Sequence, residues 1–103
     1  VLLNNNWLGN VRQLQEIFYS RYSFTRMMNP DYGKLAEAYG IETAVVENRG
    51  ELKSAVGRML SDDRPFILNV HVAEEDDVFP MIPPGRSLNE ILLNSKDWFE
   101  YGK

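Results

Sequence analysis

Val1–Leu3 is apolar without alternation, and the asparagines of Asn4–Asn6 stop it abruptly. That pattern fits the end of a parallel strand buried on both faces. Two further strand-like runs follow, Ile41–Val46 and Phe66–Val72, and the segments between them carry helical spacing. Strands alternating with helices of this length predict an α/β fold with a parallel sheet and right-handed crossovers. Three strands, the first at the chain end, make a poor free-standing doubly wound domain. The expected architecture is therefore the carboxyl-terminal part of a larger α/β domain, over residues 1–73, followed by a tail over 74–103.

From Gly9, Val11, Leu14 and Phe18 fall at i, i+3 and i+7, with Arg12, Gln13 and Gln15 between them. This predicts a helix that fades near Ser20 and has an apolar core stripe including Phe18. Arg21–Met28 has no clean period and reads as a loop. Asn29-Pro30-Asp31 predicts a helix start, with Asn29 as cap and Pro30 in the first turn. Tyr32, Leu35, Ala36 and Tyr39 form its apolar face, and Gly40 ends it in a left-handed conformation. Glu51–Leu60 reads as a third helix, with Leu52, Ala55, Val56, Met59 and Leu60 inward, and Asp62–Pro65 breaks it. EEDDVFPMIPPG is acidic and then proline-punctuated. A helical turn or two over Ser87–Leu93 and a tail, KDWFEYGK, complete the chain.

Composition removes several function classes. Eleven basic residues against 15 acidic ones leave a net charge of −4. No basic cluster offers the positive surface that non-specific nucleic-acid binding needs. The chain has no cysteine, so it has neither a disulfide framework nor a thiolate zinc site. No apolar run approaches the roughly 20 residues of a membrane span, and no signal peptide is visible. His71, the single histidine, lies inside a predicted strand and reads as structural.

In an open α/β sheet, ligands bind beyond the carboxyl ends of the strands. Asn4–Asn6 stands at such an end and leads into a helix. Side-chain amide oxygens suit Mg²⁺, and a helix N-terminus favours an anionic diphosphate. An ordinary turn also uses asparagine, because it tolerates left-handed backbone and caps helices.

Three blocks, LLNNNWLGNVRQLQEIFYSRYS, NPDYGKLAEAYGI and EEDDVFPMIPPG, resemble in order and spacing the end of the large catalytic subunit of acetolactate synthase. The resemblance covers essentially the whole chain. It implies a thiamin-diphosphate-binding fold, of which this chain holds the carboxyl-terminal portion with a lid-like tail. The family's motif opens with Gly-Asp-Gly and closes with an Asn-Asn pair, matched here by Asn4-Asn5. By that similarity Asn5 gives a side-chain oxygen to Mg²⁺, and Trp7 gives its main-chain carbonyl. Leu8, Gly9, Asn10 and Val11 continue the cofactor-binding segment.

Asn10, Val11 and Leu14 match the substrate pocket, with Gln13 on the same helix. Asn10 and Leu14 stand where the family carries Met and Trp. The pocket wall is thereby more polar and less filled, and inhibitors that stack on the Trp should bind less well. Glu74–Gly85 resembles a lid that orders over the active site; a solvated acidic linker is the alternative for Glu74–Asp77.

The implied reaction decarboxylates pyruvate and joins the hydroxyethyl unit to a second 2-keto acid, in branched-chain amino-acid biosynthesis. FAD belongs to the full-length enzyme and has no site in this chain. The expected partners are the rest of the catalytic subunit, a second copy completing the active site at a subunit interface, and a regulatory subunit; nucleic acid and membrane are not among them. Arg21 and Tyr22 are candidates for contact with a neighbouring subunit. The expected location is the cytoplasm of a bacterium or archaeon, or an organelle, and not outside the cell. Isolated, the chain should be inactive. Alternatives are another thiamin-diphosphate carboligase or decarboxylase, or a non-catalytic α/β interaction module.

Overall fold

The computed structural model describes residues 1–97, and the end of the predicted tail lies outside the described residues. The chain forms two compact units, one of Val1–Trp7 with Arg26–Glu74, the other of Leu8–Thr25 with the segment from Glu75 onward. Among the described residues, no helix is long and apolar enough to cross a membrane.

The first unit is a parallel three-stranded sheet. Its strands are β1 (Leu2–Asn4), β2 (Glu42–Val46) and β3 (Phe66–His71), in the order β1-β3-β2. β3 is central: Leu2 pairs with Asn69 on one side, and Val45 pairs with the same residue on the other. Successive side chains of a strand face opposite sides. Leu68 at 1% exposure and Asn69 at 5% show that both faces of β3 are covered. This is the arrangement the run Phe66–Val72 predicts; β1 departs from the buried strand expected of Val1–Leu3, because it lies at the sheet edge and Leu3 is 71% exposed.

Each face has its helix. α2 (Tyr32–Ala38) and α3 (Arg49–Met59) are both in this unit; α1 (Gly9–Tyr19) is in the other. Val46, Ala55 and Leu68 form the core on the α3 side, with Ala44, Val56, Met59, Phe66 and Val70 packed against it. On the α2 side, Ala36 is fully buried, and a Cβ at Gly33 would lie 3.8 Å from a Val45 methyl.

Helix boundaries depart from expectation where capping groups compete. α2 is capped by Asp31, whose carboxylate accepts the Lys34 N–H at 3.1 Å; Asn29 is not the cap and bonds Asn4 instead. α3 begins at Arg49, before the expected Glu51, because the Glu51 carboxylate turns back to accept the N–H groups of Glu47 and Asn48. Gly40 terminates α2 as predicted, at φ +66°. Its N–H reaches the Glu37 carbonyl, and the Ile41 N–H reaches that of Ala36. These are the two bonds of a Schellman cap.

In the second unit, α1 covers the expected span, but its buried side chains are Arg12, Gln13 and Ile17. Phe18 is 40% exposed and Val11 46%, so the expected core stripe through Val11 and Phe18 is not the buried face of this chain. The reason is polar: Arg12, Gln13 and Gln15 each bind backbone of another segment. The helix expected over Ser87–Leu93 shrinks to a 3₁₀ turn, Leu88–Glu90, because Ile91 is extended and Leu92 pairs with Met81 in an antiparallel bridge.

Two glycines give opposite expectations. Nothing crowds a Cβ at Gly40 or Gly57, so backbone conformation alone decides the effect of alanine there. Gly40→Ala should destabilise by about 1–2 kcal/mol, because an L side chain resists positive φ. Gly57→Ala, inside α3, should stabilise by about 0.5–1 kcal/mol. Urea unfolding of both variants beside the parent checks the pair.

Candidate cofactor-binding turn

The turn after β1 spends each asparagine differently. The Asn4 amide oxygen accepts from the Asn29 side chain at 2.8 Å and from the Asn6 N–H at 3.3 Å. The Asn5 amide oxygen accepts the Trp7 N–H at 3.1 Å. Both local bonds span two residues, the asparagine turn in which a side chain stands in for backbone. Asn6 adopts φ +59°, which asparagine tolerates better than most residues. Its side-chain N–H donates to the Glu74 carboxylate at 2.9 Å, and its carbonyl accepts the Met27 N–H at 2.8 Å.

Trp7 pairs with Arg26 in an antiparallel bridge, and the Arg26 guanidinium lies 5.7 Å from the indole ring. Glu74 is drawn in as well. The hydrogen bond from Asn6, with the Trp7 indole and the Arg26 charge beside it, holds its carboxyl below the ordinary carboxylate range. The structure thus brings Asn5 and Trp7 together at the carboxyl end of β1, with Asn6, Arg26 and Glu74 around them. Arg26 belongs to no motif read from the sequence, and Glu74 enters that reading only as the first residue of the lid-like block. The acidic run at 74–77 is the one signal in the sequence that could have pointed to Glu74.

A crevice of about 410 Å³ opens at the carboxyl ends of the three strands. Asn4, Asn6, Asn29, Asp31, Asn69 and His71 contribute to its lining. Asn5 is not part of that lining; its amide oxygen turns to the Trp7 N–H instead. His71 ends β3 and is exposed.

In the second unit, Leu8 and Asn10 are exposed, and Gly9 and Leu14 are half-buried. No acidic side chain occupies the first turn of α1, so its positive end is not offset from within the helix. Gln13 is committed to Val78, donating to its carbonyl at 3.0 Å and accepting its N–H at 2.9 Å. Arg12, 2% exposed, binds Glu16, the Tyr22 hydroxyl, the Glu75 carbonyl and the Asp77 carboxylate. Within Glu74–Asp77 the outer two residues are paired, Asp77 with Arg12 and Glu74 with Asn6, while Glu75 and Asp76 are exposed. Burial pushes the Asp77 carboxyl up, against the pull of the Arg12 guanidinium.

With that geometry in place, comparison with known proteins is decisive. Residues 1–70 match the family described as thiamine pyrophosphate enzyme, C-terminal TPP binding domain. The chain belongs to this family. It is 42% identical over 94 residues to the acetolactate synthase isozyme 2 large subunit of Escherichia coli, covering 89% of this chain and 17% of that protein. It is 41% identical over 90 residues to the acetolactate synthase large subunit of Pyropia yezoensis, covering 84% and 15%. The mitochondrial acetolactate synthase of Schizosaccharomyces pombe is 39% identical over 95 residues, covering 91% and 14%. The chain thus spans only about one sixth of the length of such relatives.

The donors of the turn fit the cofactor that the family name implies, with a hard cation beside it. An amide oxygen has two lone pairs, and the Trp7 N–H occupies one at Asn5. Among the described residues, no group of three or more His, Cys, Asp or Glu is placed to hold a metal. An ion at this turn would meet neutral oxygen donors, which Mg²⁺ accepts alongside phosphate and water.

The Arg12–Asp77 pair yields a titration test. A carboxyl raised by burial favours its protonated form in the folded state. Its contribution to stability is present below the ordinary value of 3.8 and is lost as pH rises through the folded pKa. Carbon-detected NMR should find Asp77 titrating above 3.8, and Arg12→Met should move it further up.

Proposed function

We propose that this chain is the carboxyl-terminal portion of an acetolactate synthase catalytic subunit. Residues 1–73 close its thiamin-diphosphate-binding domain, and 74–103 form a lid-like tail. The observation that carries the reading is the Asn5–Trp7 turn at the carboxyl end of β1, in a chain so similar along its length to enzymes of that name. The reaction is decarboxylation of pyruvate and transfer of the two-carbon unit to a second 2-keto acid, in branched-chain amino-acid biosynthesis. When bound, thiamin diphosphate supplies the nucleophilic carbon and the electron sink for both steps.

The chain's own residues bind and orient. The Asn5 side-chain oxygen and the Trp7 main-chain carbonyl would hold Mg²⁺, which would supply positive charge for an anionic diphosphate. Leu8, Gly9, Asn10 and Val11 continue along the cofactor, and the unoffset N-terminus of α1 favours its negative charge. Asn10, Val11 and Leu14 border the acceptor substrate. Asn10 and Leu14 are more polar and less bulky than the Met and Trp they replace, which favours a second reading, another thiamin-diphosphate carboligase or decarboxylase with its own acceptor.

A carboxylate ligand and the domain that activates the cofactor come from the rest of the subunit, together with an FAD site. A second copy of the subunit completes the active site at the interface, and a regulatory subunit is a further partner. The enzyme works in the cytoplasm or in an organelle.

Asn5→Ala in the full-length enzyme should weaken Mg²⁺-dependent thiamin-diphosphate binding about tenfold or more, equivalent to ~1.4 kcal/mol. Isothermal calorimetry reads this directly, and unchanged affinity would discard the metal assignment.

A further inference from the structure

Glu74 stands 68 positions from Asn6 in the sequence, yet its carboxylate closes on the two residues that follow Asn5. One oxygen accepts the Asn6 side-chain N–H at 2.9 Å, and the Trp7 indole lies beside the same carboxylate. The second oxygen lies 3.9 Å from the Arg26 guanidinium, which is also the group set 5.7 Å from the Trp7 ring. Four side chains thus form one closed set around a three-residue turn.

The turn needs such a brace. Asn6 sits at positive φ, a conformation that a free chain leaves readily. The Asn6–Trp7 peptide is held at both ends, its carbonyl by the Met27 N–H and its own N–H by the Asn5 amide oxygen. The Trp7 carbonyl shares a planar peptide with the Leu8 N–H, which donates to the Thr25 carbonyl at 2.8 Å, so backbone bonds hold its direction too. The Trp7 side chain, beside Glu74 and Arg26, adds a hold on the same residue. Fixing the Asn6 side chain keeps the left-handed residue in place.

We propose that Glu74 is a positioning residue for the metal-binding turn: by holding Asn6 and Trp7 it keeps the Asn5 amide oxygen and the Trp7 carbonyl presented together. The role rests on the magnesium reading above, but Glu74 is not itself a ligand. Its oxygens face N–H donors and a guanidinium. Because Glu74 also opens the proposed lid-like tail, the same contact ties the start of that tail to the cofactor turn.

The test uses the full-length enzyme and titrates it calorimetrically with Mg²⁺ in the presence of thiamin diphosphate. Removing a partner that orients a metal ligand typically costs 10–100-fold in affinity, so Glu74→Ala should weaken Mg²⁺ by about tenfold. Glu74→Gln keeps an acceptor for Asn6 and should recover most of that loss. Trp7→Phe removes the indole N–H but keeps the main-chain carbonyl; it should weaken Mg²⁺ in the same direction. Combined with Glu74→Ala it should add little, because both act through one contact.

A merely structural role would instead lower the melting temperature of the cofactor-free enzyme and leave the Mg²⁺ titration unchanged. Mg²⁺ affinity within about twofold of the parent in Glu74→Ala, with Asn5→Ala strongly impaired, overturns the positioning role alone. Unchanged affinity in Asn5→Ala overturns the metal reading and the positioning role together. If Glu74→Ala does not fold, Trp7→Phe decides, and unchanged affinity there overturns the proposal.

Discussion

The pairing of β3 with a parallel neighbour on each side organises the first unit. A central parallel strand is covered on both faces, and it must be reached through crossovers that place helices on those faces. Leu68 meets the α3 side and Asn69 the opposite one. Parallel pairing also sends all three strand ends the same way. The Asn4–Asn6 turn, the end of β2 and His71 therefore gather at one edge of the sheet, where the crevice lies. Packing and placement of the site follow from the same pairing.

The second unit is organised by buried polar groups. Arg12 is almost without solvent contact, and its guanidinium is met by two carboxylates, a phenol hydroxyl and a main-chain carbonyl. A buried cation is tolerated only when its donors are satisfied, and a guanidinium presents several in a fixed plane. Gln13 does for Val78 what Arg12 does for Glu75 and Asp77, and Gln15 does it for Ser23. Side chains of this kind specify geometry more sharply than an apolar face, since a carbonyl must meet its donor in direction as well as distance.

That division explains what was legible in the sequence. Apolar runs and helical spacing are local, so the strands, the order of elements and the left-handed Gly40 could be read directly. The cap of α2 was misplaced because Asn29 and Asp31 are both good caps, and the choice was made by Asn4, far away in the chain. The face of α1 was misread because its pattern is amphipathic by composition, while its partners at 75–78 are polar. The closing Asn-Asn pair was legible by resemblance. The supports at Arg26 and Glu74 were not, since nothing in either residue's neighbourhood announces a hydrogen bond spanning most of the chain.

In the proposed site, the oxygens offered to the metal by Asn5 and Trp7 are neutral. The nearby carboxylate, Glu74, has its charge answered by Asn6, Trp7 and Arg26 and is not free to serve a cation. A divalent ion stripped of part of its water needs anionic ligands to offset the cost. On the proposed reading those would be the diphosphate itself and a carboxylate from the rest of the subunit. Such a turn holds the ion poorly without the diphosphate, and the diphosphate has little to hold it without the ion. On that reading neutral donors would make metal and cofactor binding a single event, and a turn kept rigid by its own hydrogen bonds would offer those donors without first being ordered by the ion.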